Sequence, residues 1–195
     1  MAEAQKTIAR SDAEEALLDA AERLLIDVGH AGITTRKLAR EAGLNHGLVH
    51  YYFGSVENVL VRALERFTDR LTQRQREMYA ADVPFIEKWR TAMRYLIEDA
   101  PYQKVWFELQ ALAWSHPQMR DRVAYVNAEW RAVLTEAFAE PHERYRIPMP
   151  LEALVSLVMT FNEGIMLERL CGVTEAHETL LETIDRWLES EAKNE

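Results

Sequence analysis

The stretch "TTRKLAREAGLNHGLVHYYFGS", residues 34–55, decides the fold because it holds two short helical patterns separated by a glycine turn. A threonine caps the first helix, which carries an apolar stripe and lasts about two turns. Gly43 ends that helix, since glycine is the residue best suited to a left-handed cap. The second helix lies within "NHGLVHYYF", with Asn45 as its cap. Two short helices joined by a brief turn that contains glycine predict a helix-turn-helix.

The segments on either side extend this motif into a domain. "SDAE" is a capping-box pattern, so a first helix is expected to begin at Ser11 and to end at Gly29. Gly54 ends the second short helix, and Ser55 caps a long helix that follows. The expected organisation is a flexible tail over 1–10, a helix-turn-helix DNA-binding domain over 11–54, a connecting helix over 55–80, and a C-terminal ligand-binding and dimerisation domain over 81–195.

The composition predicts an all-α protein. The 195 residues include only seven glycines and six prolines, while Leu, Ala, Glu and Arg, which favour helices, dominate. Prolines divide the second part of the chain, because each stands near a helix start or in a connection. The helices predicted there cover roughly 85–99, 102–115, 118–139, 151–171 and 175–190. We therefore expect about nine helices, arranged as an N-terminal three-helix head and a C-terminal helical body.

Charge and cysteine content limit the classes of function. The formal net charge is −9, of which residues 81–195 carry −8, and this argues against non-specific coating of nucleic acid. Residues 32–56 have a local charge of +2, which leaves room for a small basic face. The chain has no apolar run long enough for a membrane span, and its start lacks the apolar core of a signal peptide. The single cysteine, Cys171, fits a reducing environment, so a cytoplasmic location without membrane contact is expected.

The second short helix has the residue types that a groove of DNA requires. The major groove is about 12 Å wide, so a helix that enters it must be short and slim, and Gly47 removes a side chain at the first turn. Leu44, Val49, Tyr52 and Phe53 are expected to face inward, and the amino end is expected to present free amides to phosphates. An outward leucine can contact a thymine methyl group, while histidine and tyrosine can donate to phosphates or bases. The candidate DNA contacts are Thr34, Thr35, Arg36, Asn45, His46, Gly47, Leu48, His50, Tyr51 and Tyr52. For Tyr52, inward packing and DNA contact remain equally open.

The sequence "GITTRKLAREAGLNHGLVHYYFGSVENVLVRAL" resembles the DNA-binding domain of the tetracycline-repressor (TetR) family of bacterial regulators. The resemblance covers about residues 10 to 70, a third of the chain. It implies a three-helix DNA-binding head, a larger helical body that binds a ligand and dimerises, and repression relieved by a small molecule. By position, the DNA contacts of the family carry over to Thr35, Arg36, His46, Gly47, His50, Tyr51 and Tyr52.

Two positions depart from the family pattern. His50 stands where the aromatic run usually begins with a backbone-contacting tyrosine, and Val56 stands where a phosphate-binding lysine is common. These departures imply fewer ionic contacts, or compensation by Lys6 and Arg10 in the tail. They also prevent inference of the operator from relatives.

The body is rich in residues that line adaptable apolar pockets. All five tryptophans and five of the seven methionines lie beyond residue 80, and methionine fills irregular cavities well. Polar residues interrupt apolar stretches in "VWFELQALAW" and "VMTFNEGIM", and a buried carboxylate needs a partner or a ligand. The candidate ligand-binding residues are Met93, Trp106, Glu108, Trp114, Trp130, Met159, Asn162, Glu163 and Met166. The alternatives are that the aromatic and methionine residues only fill a core, and that Glu108 lies on a solvated helix side.

The last two predicted helices have the pattern of a dimer interface. The helix over 151–171 is apolar around too much of its circumference to be buried on one side only, and Gly164 within it suggests close approach of another helix. A two-fold dimer also agrees with the small DNA area that one head can bury. The candidate interface residues are Leu154, Leu157, Val158, Phe161, Gly164, Ile165, Leu181, Ile184, Trp187 and Leu188.

The function expected from this pattern is a homodimeric, ligand-responsive transcriptional repressor, released from palindromic double-stranded DNA by a small, largely apolar molecule. A transcriptional activator and a ligand-independent DNA-binding regulator are the alternatives. An enzyme that uses the body pocket is a remote alternative, because the sequence shows no paired catalytic carboxylates, phosphate loop or nucleophile elbow. No residues have metal-ligand spacing, so we expect neither a metal nor a cofactor. Cys171 is read as inert core filling, with a redox switch as the alternative.

Overall fold

In the computed structural model, which describes residues 10–115 and 117–193, the chain is entirely helical. This part of the chain forms nine α-helices and one 3₁₀ turn over His30–Gly32, and it confirms the all-α prediction. The helices are α1 (Arg10–Val28), α2 (Thr35–Glu41), α3 (Gly47–Phe53), α4 (Val56–Ala80), α5 (Phe85–Glu98), α6 (Ala100–Ser115), α7 (Pro117–Arg144), α8 (Leu151–Leu170) and α9 (His177–Lys193). The predicted tail over 1–10, including Lys6, lies outside the described residues except for Arg10, which belongs to α1. None of the described helices combines the length and apolarity needed to cross a membrane.

Three of the predicted helix boundaries are confirmed by cap geometry. The Thr34 hydroxyl oxygen accepts from the Lys37 amide at 3.2 Å, and the Ser55 hydroxyl oxygen accepts from the Asn58 amide at 3.2 Å. Gly43 has φ of +67°, in the left-handed region where a side chain is disfavoured. The sequence therefore determines the limits of α2 and the start of α4 through local hydrogen bonds.

Two predicted helix starts are wrong by one or two residues. Arg10 already belongs to α1, so Ser11 lies inside the helix rather than ahead of it. The α3 helix begins at Gly47, with His46 rather than Asn45 at the capping position. Asn45 acts one step earlier, because its side-chain oxygen accepts from the Gly47 amide at 2.9 Å.

The end of α7 also differs from the prediction. A connection was expected at Pro141, but α7 continues through this proline to Arg144. Proline removes one amide donor, and so close to the end of a helix the loss affects only the last turn. Beyond it, the His142 Nε2–H donates to the Met149 carbonyl at 2.7 Å and holds the connection to α8.

One apolar core joins the three-helix head to the body. Leu17, Leu38, Val49 and Val59 are fully buried and belong to the same cluster as Leu109 of α6. A second cluster lies between α5, α7, α8 and α9, around Val155. Because the head core continues into α6 and α7, the head packs directly on the body, and the division at residue 80 stays a prediction.

Candidate functional site

The outer face of α3 is exposed and its inner face is buried. Val49 is fully buried, whereas Tyr51 is 70% exposed. His46, Gly47 and His50 are exposed together with Tyr51. The packed inner face fixes the helix on the head, so the outer face is rigid and open to a large molecule.

Gly47 has no packing role within the chain. A Cβ added there would meet only the Asn45 side-chain oxygen, at 3.4 Å, and Gly47 does not have a positive φ. The fold therefore accepts a side chain at this position. Because Gly47 has no side chain, another molecule can approach the first turn of α3 closely.

Two residues of the predicted recognition face lie partly inside. Tyr52 is half-buried, packs against the head core and contacts the Tyr51 ring edge-to-face at a centroid distance of 4.9 Å. Leu48, predicted to point outward, is half-buried. Tyr52 thus supports the position of Tyr51, and Leu48 offers only part of its side chain to a partner.

The expectation of free amides at the start of α3 is wrong for its first three residues. The amides of Gly47, Leu48 and Val49 donate to the Asn45 side chain, the Asn45 carbonyl and the His46 carbonyl. Asn45 and His46 together satisfy the amide donors that a phosphate would otherwise take. Phosphate binding on this face therefore depends on side chains.

His50 is held in one orientation by the end of its own helix. Its Nδ1 lies 2.8 Å from the Gly54 carbonyl oxygen, and since a carbonyl only accepts, Nδ1 carries the hydrogen. The Nε2 atom is then directed away from this bond. A tyrosine at this position could not make the same bond to Gly54, so the departure from the family pattern has a local structural role. Val56, the other departure, packs against the head core.

The predicted cluster of donors lies at the amino end of α2. Thr34 and Arg36 are exposed and Thr35 is half-buried. The Thr34 oxygen accepts from the Lys37 amide, which leaves its hydroxyl hydrogen available. The Lys37 ammonium donates to the Gly32 carbonyl at 3.3 Å, so Arg36 is the cation best placed to reach outward.

The body contains a cavity of about 90 Å³, several times the space that one water molecule needs. Seven of the nine predicted ligand-binding residues line it: Met93, Trp106, Trp130, Met159, Asn162, Glu163 and Met166. Helices α4 to α8 all contribute to its wall. The fold thus brings these seven residues together, and their role in ligand binding stays a prediction.

Two predicted pocket residues lie elsewhere. Trp114, near the end of α6, is 78% exposed and does not reach the cavity. Glu108 points from α6 toward the head, where its Oε2 accepts from the His30 amide at 2.8 Å and from His30 Nδ1 at 3.0 Å. The expectation of a solvated Glu108 is also wrong, because this carboxylate joins the body to the head.

Several cavity residues were missed by the sequence analysis. The cavity is also lined by Gln75, Tyr79, Trp89, Asp99, Tyr102 and Gln103. Of these, Gln75 is only 8% exposed. Burial raises the pKa of Tyr79 and of Tyr102, so both hydroxyls stay protonated at neutral pH. Burial likewise raises the pKa of Asp99, and the ion pair with Arg74 opposes this shift. Periodic apolar residues signal a pocket wall, whereas Gln75 lies in a polar run that reads as a solvated surface.

Helices α8 and α9 leave apolar side chains on the surface. Leu157 and Trp187 are exposed, and Leu180 is exposed at helical spacing from Trp187. A Cβ at Gly164 would meet no atom within 4 Å in this chain, so the close approach predicted there would have to come from another molecule. Single exposed apolar residues are common, so a dimer interface on α8 and α9 stays a prediction.

Four predicted interface residues are buried in their own chain. Leu154, Val158, Ile165 and Leu188 are shielded from solvent, and all except Ile165 belong to the second apolar cluster. Leu154, Val158 and Leu188 are therefore core residues, because they pack with residues of α5 and α7 in this cluster. Ile165 is buried in its own chain as well. Phe161, Leu181 and Ile184 are half-buried. Cys171, read from the sequence as core filling, is exposed at the end of α8.

No group of three or more potential metal ligands occurs in residues 10–115 and 117–193.

Comparison with known proteins adds independent information. Residues 17–63 match the family described as "Bacterial regulatory proteins, tetR family". The chain is 39% identical over 57 residues to the HTH-type transcriptional regulator BetI of Rhizobium meliloti (strain 1021), a segment that covers 29% of this chain and 28% of that relative. The match to BetI therefore spans well under half of the relative.

Solved structures share the fold over nearly the whole chain. A Rhodococcus sp. protein assigned to the TetR-family transcriptional regulators has a TM-score of 0.73 and 23% identity, with 90% of this chain and 97% of that chain covered. A protein from Saccharomonospora viridis, solved in complex with choline, has a TM-score of 0.69 and 17% identity, with 93% and 95% covered. At these identities, the likeness extends to the architecture of head and body.

Proposed function

We propose that this chain, which belongs to the tetR family of bacterial regulatory proteins, binds operator DNA through α3 and is released from it by a small molecule in the body cavity. The observation that carries the proposal is the outer face of α3, where Gly47 has no internal role and Tyr51 is exposed. A seven-residue helix with a buried inner face and a bare first turn has the dimensions that the major groove accepts. The protein acts as a homodimer on a palindromic site, because one such head buries too little DNA for specific binding.

DNA recognition divides between the two short helices. Arg36 and the Thr34 hydroxyl contact phosphates or base edges from α2, while Tyr51 and His50 Nε2 reach from α3. The positive charge on this face is small, so base contacts and shape have to supply more of the affinity than ion pairs do. In keeping with this, the salt dependence of binding is shallow for a repressor of this size.

Two helices connect the cavity with the head. The carboxyl half of α4 lines the cavity with Gln75 and Tyr79, and its amino half packs against α1 and α3. In parallel, α6 lines the cavity with Trp106 and, about half a turn further, binds His30 of the head through Glu108. A ligand that spreads the cavity wall displaces both helices, which changes the separation of the two heads in a dimer and lowers its match to the operator.

The ion pairs between α1 and α4 make the head move as one body. The Arg66 guanidinium binds Asp19 and Glu22 at 2.7 and 2.8 Å, and Arg70 binds Glu22 at 2.6 Å. Because Glu22 is mostly shielded from solvent, these pairs are screened less than fully exposed ones. A shift of α4 is therefore carried to α1 instead of being lost at their contact.

The experiment is a selection of random-sequence duplexes on the purified protein, followed by titration of the enriched duplex by fluorescence anisotropy. We expect a palindrome with half-sites about 34 Å apart, or a multiple of that distance. Affinities that do not differ between enriched and random duplexes would contradict the proposal. Titrations repeated with small molecules that bind the cavity then separate an inducible repressor from a ligand-independent regulator, since only the former loses DNA affinity.

Repression, dimer formation and a cytoplasmic location belong to this proposal together. An activator would show the same DNA binding, and a reporter gene under the enriched operator distinguishes the two by the sign of the change in expression. The proposal also includes the absence of catalysis, which recovery of the bound small molecule unchanged after prolonged incubation would support. The choline complex of the Saccharomonospora viridis protein supports the view that a protein of this fold can bind a small organic molecule.

A further inference from the structure

We infer that the effector is a protonated amine on a small apolar frame, held by Glu163, Gln75 and Asn162 between the tryptophans of the cavity. The inference rests on the proposed function, since it names the chemistry of the ligand that the cavity takes. It is carried by the hydrogen-bonding state of three side chains that line the cavity.

Two amide oxygens in the cavity wall have no partner. Gln75 Oε1 and Asn162 Oδ1 are buried and accept no hydrogen bond from any described residue. Both residues line the cavity, and Gln75 is more than nine-tenths buried. A buried acceptor without a donor destabilises the fold, and such groups normally bind water or a ligand.

Glu163 adds a carboxylate to the same wall. Its Oε1 accepts from Trp106 Nε1 at 3.3 Å and from Gln110 Nε2 at 3.1 Å. Both donors are neutral, and no described cation forms an ion pair with Glu163. A partly buried carboxylate in this situation favours a positive charge nearby.

The other charges around the cavity do not supply that cation. The cavity lining includes Asp99 but no lysine, arginine or histidine among the described residues. The Arg74 guanidinium is paired with Asp99, which lines the cavity, and stacks over the Tyr95 ring at 4.0 Å. With Asp99 neutralised in this way, the lining carries one uncompensated negative charge.

The apolar part of the lining selects the frame around the cation. Trp89, Trp106 and Trp130 stand in the wall, and the faces of tryptophan rings attract cations. Methionines complete the wall and adapt to the shape of an aliphatic chain. Charge and aromatic faces alone would suit any organic cation. The three acceptors favour one with N–H donors, because a quaternary ammonium cannot donate to them.

The test compares four probes that share a hexyl chain: hexylammonium, hexyltrimethylammonium, hexanol and hexanoate. Binding to the full-length protein is followed by quenching of tryptophan fluorescence and by calorimetry, without DNA. We expect hexylammonium to bind most tightly, with each of the other three at least about tenfold weaker. Equal or tighter binding of any other probe overturns the inference.

Variants assign the preference to the cavity. Glu163→Gln keeps the acceptor for Trp106 and Gln110 but removes the charge, and it should reduce the preference for hexylammonium over hexanol by about tenfold. Gln75→Leu should weaken hexylammonium more than hexanol, because the ammonium group loses a charge-assisted hydrogen bond and the hydroxyl a neutral one. The matched control is Glu152→Gln, an exposed position on the same helix outside the cavity, and it should leave all four affinities unchanged. An unchanged preference in Glu163→Gln, in a variant whose circular dichroism and thermal midpoint match the parent, overturns the inference.

The binding preference of the cavity and the proposed DNA binding are measured separately, so either can fail without the other. Sequence-specific DNA binding together with a preference for hexanoate would overturn the inference alone. Absence of DNA binding together with a preference for hexylammonium would overturn the proposed regulator and leave the cavity chemistry in place.

Discussion

Replacing Gly47 by alanine should leave the fold intact and weaken DNA binding. The new Cβ would lie 3.4 Å from the Asn45 side-chain oxygen and would touch no other atom of the chain. Asn45 is exposed and can move by a few tenths of an ångström, while alanine is a better helix former than glycine by about 1 kcal/mol in a helix interior. At the first position of a short helix, we expect the free energy of unfolding to change by less than about 1 kcal/mol, in the stabilising direction.

The same methyl group would stand on the face that we propose enters the groove. It would hold α3 away from the base edges and so cost about one good base contact, roughly 1–3 kcal/mol for each head. The dissociation constant of the duplex should rise by about 5- to 150-fold per head. This separation of stability from affinity is expected only if the outer face of α3 touches DNA.

The assay pairs urea unfolding with anisotropy titration of the selected duplex. Gly43→Ala is the contrasting control, because its φ of +67° makes a side chain costly by about 1–2 kcal/mol without adding bulk to α3. Gly43→Ala should therefore lower stability, whereas Gly47→Ala should lower affinity. A Gly47→Ala protein that binds the duplex as tightly as the parent would refute the reasoning.

Three further predictions concern the body. Glu108→Gln should lower the free energy of unfolding by about 1–2 kcal/mol, since the charged acceptor for two His30 donors is lost. The same variant should reduce the effect of a cavity ligand on DNA affinity. An unchanged ligand effect would argue against α6 as a connection between cavity and head. Burial raises the pKa of Asp99, so the folded protein holds this proton more tightly than the unfolded chain does. The free energy of unfolding of the parent, relative to that of Asp99→Asn, should therefore fall as the pH rises from 3.8 through the raised pKa. A difference between the two proteins that does not depend on pH would contradict this. Gly164→Leu should convert the proposed dimer to a monomer, as measured by light scattering. Gly164→Ala should remain dimeric and be about 1 kcal/mol more stable than the parent. An intact dimer in Gly164→Leu would place the interface elsewhere.

The head could be predicted well from the sequence because short-range chemistry determines it. Thr34 and Ser55 cap their helices through amides three residues away, and Gly43 takes the left-handed conformation that ends α2. The same local rules misplaced the start of α3. There Asn45 binds the amide two residues on, and a pattern of residue types does not distinguish this turn from a true cap.

The body was harder to predict because its polar residues have distant partners. Glu108 reaches His30 across 78 positions of sequence, and no periodicity within α6 reveals this contact. Gln75 lies in a polar run, yet the packing of α5 to α8 around α4 buries it in the cavity wall. Trp114 shows the opposite case. Its place at the end of an apolar helix predicts a residue of the cavity wall, but its side chain is exposed to solvent.

Titration of the selected duplex with a protein that carries both Arg36→Ala and Tyr51→Ala, at several salt concentrations, tests the role of the recognition face most directly. We predict that the double variant keeps the parent's stability, loses about a hundredfold in affinity, and has a salt slope lower by about one for each head, because a cation and a hydroxyl donor are removed from each. An affinity and a slope equal to those of the parent would contradict the assignment of this face to DNA.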